Sequence, residues 1–197
     1  SFGCIWKGGM SMVIRTVAVI GAGTMGAGIA QMCAQSGWKT NLFDAFPEGL
    51  DKGMQTIDAF WNKGISRGKT TPEQKAEWEA NLHAVSDMEN AVKDADLVIE
   101  AVPEIVSLKH EIFAKLGEIT PEHCVLATNT SGLSISDIAN ASGRGDKVIG
   151  MHFFNPVPLM KLLELIRADT TSDETATLAE SVGAAMGKTT IMVNDIA

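Results

Sequence analysis

Short apolar runs alternate with longer amphipathic stretches along most of this chain. The run Thr16–Ile20 is rich in β-branched residues and ends at a glycine, which predicts a buried strand. A helical stretch follows over residues 24–36, and Gly37 stands where a glycine commonly ends a helix. The segment Lys39–Phe43 then predicts a second short strand.

A helical excursion is predicted after this second strand. Between Pro47 and Gly64, apolar residues recur at spacings of three and four, as expected for the buried face of a helix. A loop-like stretch runs from Gly64 to Thr71. Thr71 and Pro72 are residue types favoured at the N-cap and at the first helical position, so a further helix is predicted to begin there.

The rest of the chain continues the alternation of strands and helices. We predict strands at 81–85, 96–102, 124–128, 147–153, 161–166 and 189–193, and helices at 105–116, 134–140 and 172–186. The segment 96–102 is apolar almost throughout, which is typical of a parallel strand covered on both faces. The pattern therefore predicts an α/β fold: a Rossmann-type, doubly wound, mostly parallel sheet with helices on both faces.

The first predicted turn has the glycine pattern of a phosphate-binding loop. Gly21, Gly23 and Gly26 match GxGxxG between a strand and a helix. In such a loop the first glycine permits a tight turn, the second a close approach of pyrophosphate, and the third close packing of helix on strand. The helix start at Thr24 and Met25 offers N–H groups and partial positive charge to phosphates. The alternative is a tight turn and helix start without a ligand.

Asp44 ends the second predicted strand, where an acidic residue is expected about 20 positions after the loop. A carboxylate at this position accepts hydrogen bonds from ribose hydroxyls and repels a 2′-phosphate. No arginine lies near Asp44 in the sequence to reverse that preference. The sequence therefore predicts NAD rather than NADP as the cofactor.

Composition and charge exclude several classes of protein. The 197 residues are 45% hydrophobic and 20% charged, which is typical of one packed domain. The formal net charge of −8 argues against nucleic acid or an anionic membrane surface as the partner. No apolar run reaches the ~20 residues that a membrane helix needs. The three cysteines lack the spacing of a disulfide framework or a zinc site, so we predict a reducing, cytoplasmic environment.

His152 and Glu164 are candidates for catalytic chemistry. His152 ends a predicted strand, and ligands of open α/β sheets gather at the carboxyl ends of strands. Glu164 lies in an apolar stretch, where an unpaired buried carboxylate is unfavourable. A His–Glu pair, in which the carboxylate orients the imidazole and raises its basicity, would explain both placements. The residues alone leave open a second interpretation, in which His152 is a satisfied core histidine and Glu164 faces water.

A polar segment, Asn129–Gly132, follows the strand predicted at 124–128. Its serine and asparagine could donate to a substrate oxygen, but an ordinary loop with Ser134 as a helix N-cap explains the segment equally well. No two of the four histidines share a helix face at a spacing of four residues, so we predict no metal site.

These motifs together resemble the NAD-binding domain of L-3-hydroxyacyl-CoA dehydrogenases, including short-chain 3-hydroxybutyryl-CoA dehydrogenases. The resemblance runs from about Arg15 to Asp195, nearly the whole chain. The matching segments are VAVIGAGTMGAGIAQ, DADLVIEAVPE, ATNTSGLSIS and GMHFFNPVPLMKLLELI, of which the last is the most specific.

The resemblance implies a role for individual residues. His152 resembles the catalytic base of the family and Glu164 its orienting partner, while Ser131 and Asn155 resemble the residues that bind the substrate oxygen and complete the site. The further cofactor contacts implied are Ala101, Val102, Glu104, Lys109, Asn129 and Ser131.

The helical excursion near 61–69 resembles a segment that projects toward the CoA moiety. Lys63, Arg67 and Lys69 are therefore candidate phosphate contacts, with a solvated basic face as the equal alternative.

The resemblance also implies a reaction. It is the reversible, NAD-dependent oxidation of an (S)-3-hydroxyacyl-CoA to a 3-ketoacyl-CoA, with hydride passing from C3 to the nicotinamide and the hydroxyl proton to His152. Two alternatives remain open: a related dehydrogenase that acts on another hydroxy acid or a sugar acid, and a non-catalytic nucleotide-binding module.

The domain organisation is also an expectation. We predict residues 1–14 as a leader or tag remnant and residues 15–197 as an NAD-binding domain. Family members continue into a helical domain, and this chain stops where that domain would begin. The helical domain supplies a wall of the substrate cleft and the dimer interface, so we expect a homodimer only of the full-length protein.

Overall fold

The computed structural model describes residues 13–196, which form an eight-stranded sheet with helices on both faces. The strands are β1 (Thr16–Ile20), β2 (Lys39–Phe43), β3 (Leu82–Ala84), β4 (Leu97–Glu100), β5 (Val125–Thr128), β6 (Val148–Phe153), β7 (Leu162–Arg167) and β8 (Thr189–Asn194). The helices are α1 (Thr24–Gln35), α2 (Pro47–Ser66), α3 (Pro72–Asn81), α4 (Met88–Val92), α5 (Val106–Ile119), α6 (Ile135–Ser142) and α7 (Asp173–Ala185).

The strand order is β3-β2-β1-β4-β5-β6-β7-β8, so the chain winds outward from β1 in both directions. All neighbouring strands are parallel except β6 and β7, which are antiparallel. Residues 154–161, which join those two strands, include no helix, and a parallel connection would need a longer crossover. The predicted doubly wound, mostly parallel α/β fold is confirmed.

Two hydrophobic layers cover the two faces of the sheet. Alternate residues of β1 point to opposite faces, so Val17 and Val19 join one layer and Ala18 and Ile20 the other. The first layer includes buried residues of α1, α2 and α7, and the second includes residues of α4, α5 and α6. A sheet buried on both faces explains why its central strands are apolar almost throughout.

One predicted boundary was wrong at the helical excursion. The helix α2 does not end at Gly64 but continues through Ser66, and the left-handed glycine that follows it is Gly68, with φ +71°. Gly64 instead lies close to Thr70, whose Oγ1 would be 2.7 Å from a Cβ at that glycine.

The short helix α4 was not predicted because its five residues are too few to show a period. Its N-cap, Asp87, accepts a hydrogen bond from the Asn90 N–H at 3.0 Å.

The start of the fold lies beside β4. The backbone N–H groups of Arg15 and Thr16 donate to Asp96 Oδ2 at 2.8 and 3.0 Å. Ile14 packs against the first hydrophobic layer. Residues 1–12, most of the predicted leader, lie outside the described residues. Within residues 13–196, no helix combines the length and the apolar character needed to cross a membrane.

Candidate active site and cofactor cleft

The carboxyl ends of β1, β4, β5 and β6 meet at one edge of the sheet because these strands are parallel. Two bonds join adjacent strand ends: the Asn129 N–H donates to the Glu100 carbonyl, and the Phe153 N–H donates to Asn129 Oδ1, each at 2.9 Å. The phosphate loop, the segment after β4, the polar segment Asn129–Gly132 and His152 are thereby brought to the same edge. Asn129, a predicted cofactor contact, therefore joins the end of β4 to the end of β6.

His152 and Glu164 lie directly opposite each other on the antiparallel strands β6 and β7. His152 Nδ1 is 3.6 Å from Glu164 Oε1, within ion-pair distance and slightly beyond a hydrogen bond. Both side chains are partly exposed, at 20% and 36%, so neither is sealed in the core. The ring of Phe154 packs on the imidazole with centroids 4.5 Å apart. Catalytic pairs are often this loose before substrate binds, so the geometry suits a base with an orienting carboxylate.

Asn155 is exposed at the start of the segment that joins β6 to β7. Lys188 Nζ donates to the carbonyls of Val157 and Met160 in this segment. Partial burial lowers the pKa of the Lys188 ammonium. The other side of the segment touches α1, since a Cβ at Gly28 would lie 2.8 Å from Val157 Cβ. Sequence reasoning missed Lys188, because a lone lysine after a turn carries no pattern.

The phosphate loop has the geometry that its glycines predict. Gly21 has φ +105°, and a Cβ there would lie 2.7 Å from the Ala101 carbonyl oxygen. A Cβ at Gly26 would overlap the carbonyl oxygen of Gly21, so the helix could not pack as closely with any other residue. A Cβ at Gly23 would meet nothing within 4 Å. Gly23 is also the N-cap of α1, so no N-cap side chain occupies the N–H groups that begin at Thr24 and Met25.

Asp44 ties the end of β2 to the phosphate loop. Its Oδ2 accepts from the Ala22 N–H at 2.8 Å, and its Oδ1 accepts from the Phe46 N–H at 2.9 Å. The carboxylate is only partly buried, so it retains an accessible side. The residue predicted to bind ribose therefore also holds the loop predicted to bind pyrophosphate.

A charged network that the sequence analysis largely missed supports the segment after β4. Lys109 is 1% exposed, and its Nζ lies 2.6 Å from Glu100 Oε2, 3.0 Å from Glu104 Oε1 and 3.2 Å from the Val102 carbonyl. Glu100 is fully buried and also accepts from Thr128 Oγ1 at 2.7 Å. The signal for Glu100 was a carboxylate inside an apolar strand, the same signal that marked Glu164.

The structure thus gives Lys109 a buried supporting position, with its ammonium surrounded by protein acceptors. Glu104 is the more accessible member, with a side chain 46% exposed. Partial burial raises the pKa of the Glu104 carboxyl, but hydrogen bonds from Thr130, Lys109 and the Ser131 N–H outweigh it and hold the pKa below its ordinary value. Glu104 is therefore a carboxylate at neutral pH. Direct contact of either residue with a cofactor stays a prediction.

An open cleft lies between the polar segment after β5 and the strands β7 and β8. Its lining includes Ser131, Leu133, Glu164, Ile166, Val193 and Asp195. The cleft thus brings Ser131 and Glu164 to one surface. No group of three or more histidine, cysteine, aspartate or glutamate side chains within residues 13–196 is arranged to hold a metal ion.

The three candidate CoA contacts lie outside this cleft. Lys63 is in the last turn of α2, and Arg67 and Lys69 follow that helix. All three side chains are exposed. No hydrogen bond or ion pair joins them to His152 or Glu164 in the described part of the chain, so their role stays a prediction.

Known proteins share this fold and sequence. Residues 16–196 match the family described as "3-hydroxyacyl-CoA dehydrogenase, NAD binding domain". Probable 3-hydroxybutyryl-CoA dehydrogenases of Bacillus subtilis and Deinococcus radiodurans are 41% and 43% identical over 93% and 90% of this chain, which spans 64% and 63% of theirs. The crystal structure of (S)-3-hydroxybutyryl-CoA dehydrogenase from Ralstonia eutropha matches with a TM-score of 0.90 and 40% identity, over 93% of this chain and 64% of that one. The chain therefore spans a little less than two thirds of these relatives.

Proposed function

This chain belongs to the family of NAD-binding domains of 3-hydroxyacyl-CoA dehydrogenases, and from that premise we propose that it serves the NAD-dependent oxidation of (S)-3-hydroxyacyl-CoA to 3-ketoacyl-CoA. The main support for the proposal is that His152 and Glu164 lie opposite each other on β6 and β7, at the edge of the sheet where the phosphate loop begins. The names of the 3-hydroxybutyryl-CoA dehydrogenase relatives support the substrate class.

The residues at the carboxyl ends of β1, β2 and β4 fit NAD. The open space above Gly23 and the N–H groups at the start of α1 would hold the pyrophosphate. The accessible side of Asp44 would accept hydrogen bonds from the ribose hydroxyls and disfavour the 2′-phosphate of NADP. The exposed side of Glu104 and the segment Ala101–Val102 lie where β4 ends, beside the phosphate loop. When bound, the nicotinamide supplies the hydride acceptor.

His152 acts as the general base in this proposal. Its Nδ1 faces Glu164, so an Nδ1–H directed at that carboxylate leaves the lone pair of Nε2 for the substrate. Nε2 then accepts the proton of the 3-hydroxyl as the C3 hydride leaves, and Glu164 stabilises the imidazolium that forms. In the reverse direction the same Nε2–H protonates the 3-keto oxygen.

Ser131 and Asn155 would hold the reacting oxygen of the substrate. Both residues are exposed, and they follow β5 and β6 at the same edge as His152. A hydroxyl and an amide can each donate a hydrogen bond to the 3-oxygen, and such donors stabilise the charge that develops there. Lys63, Arg67 and Lys69 would contact the phosphates of CoA.

Two properties of the whole protein are part of the proposal. Relatives are longer than this chain, and we expect the full-length protein to form a homodimer through the additional domain. We also expect a cytoplasmic location, because Cys33 and Cys124 are buried free thiols. Light scattering of the full-length protein and cell fractionation test these two expectations.

The reaction is tested by following NADH absorbance when the protein meets acetoacetyl-CoA. Steady oxidation of NADH by the thioester, but not by the free keto acid, supports the proposed substrate class. Turnover of free acids alone would favour a related hydroxy-acid dehydrogenase. Binding of NADH without turnover in the full-length protein would favour a non-catalytic nucleotide-binding module. Failure to bind NADH would contradict the cofactor site itself.

Replacement of the proposed base tests the mechanism. His152→Gln in the full-length protein should lower kcat by roughly 10²–10⁴-fold, the usual loss with a general base. Glu164→Gln retains the shape of the partner and should lower kcat less. NADH affinity, measured by fluorescence titration, should stay unchanged in both variants. A change confined to KM would assign His152 to binding instead of proton transfer.

A further inference from the structure

Thr130 is a buried polar residue between two predicted site residues, Asn129 and Ser131. It is 2% exposed, and neither the family resemblance nor the sequence pattern gives it a role. Its Oγ1 donates to Glu104 Oε2 at 2.7 Å and accepts from the Leu133 N–H at 3.2 Å. The hydroxyl is therefore fully engaged within the protein and is not available to a ligand.

The same carboxylate also faces Ser131. The backbone N–H of Ser131, next to Thr130 in the chain, helps to hold the pKa of the Glu104 carboxyl below its ordinary value. The side-chain bond from Thr130 thus attaches to Glu104 the segment that presents the Ser131 side chain to the cleft. Glu104 belongs to a different segment, the one that follows β4 and precedes α5.

The other oxygen of Glu104 is bound by the buried Lys109. Lys109 Nζ lies 3.0 Å from Glu104 Oε1 and 2.6 Å from Glu100 Oε2. Glu100 in turn accepts from Thr128 at the end of β5. The segments after β4 and β5 are therefore joined twice, once in the core through Glu100 and once at the surface through Glu104. The bonds to the buried Lys109 ammonium hold this geometry firmly, because a buried charge released from its partners would be left unsatisfied.

We propose that Thr130 is a positioning residue that couples the cofactor segment 101–105 to the substrate residue Ser131 through the Glu104 carboxylate. The inference rests on the proposed function, because it assumes that NAD binds beside Glu104. A cofactor that contacts the exposed side of Glu104 restrains the carboxylate, and the carboxylate restrains Thr130 and Ser131. Binding of the cofactor thereby orders the segment that receives the substrate, which is a coupling between two sites through a shared group.

The test compares Thr130→Val with Thr130→Ser. Valine keeps the shape of threonine and removes the hydroxyl, whereas serine keeps the hydroxyl. Amide hydrogen exchange, resolved by NMR, reports on residues 129–134 with and without NAD. In the unchanged protein and in Thr130→Ser, NAD should slow exchange at the Ser131 and Leu133 amides. In Thr130→Val that effect should be lost, while NADH titration still gives binding within about tenfold, the scale of one hydrogen bond.

A kinetic readout in the full-length protein separates positioning from folding. Thr130→Val should lower kcat/KM for acetoacetyl-CoA by roughly 10–100-fold, the loss expected for a hydrogen bond to a charged group. Thr130→Ser should retain most of the kcat/KM of the unchanged protein, and its thermal midpoint should equal that of the unchanged protein. If valine is not tolerated, Thr130→Ala removes the same hydroxyl without the added methyl group.

Two results would overturn the proposal. Slowed exchange at Ser131 by NAD in Thr130→Val would show that Thr130 does not transmit the effect. Equal exchange with and without NAD in the unchanged protein, with NADH bound, would show that no coupling exists. A protein that does not bind NADH at all would instead contradict the proposed function, and with it this inference.

Discussion

Single carboxylates hold three segments at this edge of the sheet. Asp44 accepts from the Ala22 N–H of the phosphate loop, and Glu104 accepts from Thr130 in the segment after β5. Asp195 accepts from the Ser136 N–H at 2.8 Å, at the start of α6. A carboxylate has several acceptor positions, so one residue can hold a backbone and still offer an oxygen to a ligand. At this scale, residues that bind and residues that position are often the same.

Asp44 can be separated into these two roles by substitution. Asp44→Ala should weaken NADH binding and reduce the preference over NADPH, because it removes both the ribose acceptor and the repulsion of the 2′-phosphate. Asp44→Asn keeps an acceptor for one backbone N–H but removes the charge, so it should lose the discrimination with less loss of NADH affinity. Fluorescence titration with both cofactors measures this. If Asp44→Ala binds NADH and NADPH with unchanged affinity, Asp44 has no role in cofactor binding.

Glu104 should make the stability of the chain depend on acid pH. The folded state lowers the pKa of this carboxyl, so its contribution to stability is present above the unfolded pKa and is lost as pH falls through the folded one. Thermal midpoints of the unchanged protein and of Glu104→Gln should differ most near neutral pH and converge in acid, as pH falls through the folded-state pKa. Glu111→Gln, at an exposed position of α5, serves as the control. A difference that is constant with pH would contradict the assignment.

The segment 154–161 shows how neighbouring elements hold a loop without regular structure. On one side it touches α1 at Gly28, and on the other Lys188, just before β8, donates to two of its carbonyls. Asn155 is carried by this segment, while the start of α1 carries the predicted pyrophosphate site. The segment that carries a predicted substrate residue is thereby in contact, through Val157, with the helix of the predicted cofactor site.

Lys188 should contribute measurably to the stability of this loop. Lys188→Met leaves two carbonyls without their donor and should lower the free energy of unfolding by about 1–2 kcal/mol. Lys188→Arg retains charge and donors and should recover part of that loss. Lys161→Met, at an exposed position of the same segment, should have little effect. Urea denaturation measures all three variants. Equal stability of Lys188→Met and the unchanged protein would show that the ammonium contacts are not stabilising.

The whole molecule is two hydrophobic layers that share one sheet. Trp61 lies in the first layer, and Trp38 and Trp78 pack against it. Phe113 and Ile138 lie fully buried in the second layer. Since every central strand contributes to both layers, neither can unfold while the other keeps its sheet.

Damage to one layer should therefore be detected by probes in the other. Phe113→Ala should lower the free energy of unfolding by about 3–5 kcal/mol, and Ile138→Val by about 0.5–1.5 kcal/mol if the first variant fails to fold. The urea midpoint from tryptophan fluorescence should shift as much as that from far-ultraviolet circular dichroism. Trp6, outside the described residues, is replaced by Phe in both proteins. Separate midpoints for the two probes would contradict a single cooperative unit.

Periodicity and glycine spacing predicted most of the frame, because strands buried on both faces and a GxGxxG turn leave local signals. The roles of Asp44 and the phosphate loop were predicted in this way. The structure also places His152 opposite Glu164, but local pattern alone left that pair undecided. Glu100 carried the signal of a carboxylate inside an apolar strand, but the local pattern gave no sign of its partner Lys109 or of the bond from Thr130 to Glu104, because these contacts join residues from different elements. The reversed direction of β7 follows from the short connection before it, a constraint of topology rather than of composition.

Because β7 runs antiparallel to β6, the connection 154–161 between them can change in length without moving either strand. Strand hydrogen bonds, rather than the connection 154–161, hold His152 opposite Glu164. Residues added to the connection would be accommodated outside the sheet, whereas a slip of the strands by one residue would place Leu163 or Leu165 opposite His152 and turn Glu164 to the other face. Insertions there can reshape the surface around Asn155 while His152 and Glu164 stay together, which makes the connection a suitable site for engineering new substrate range.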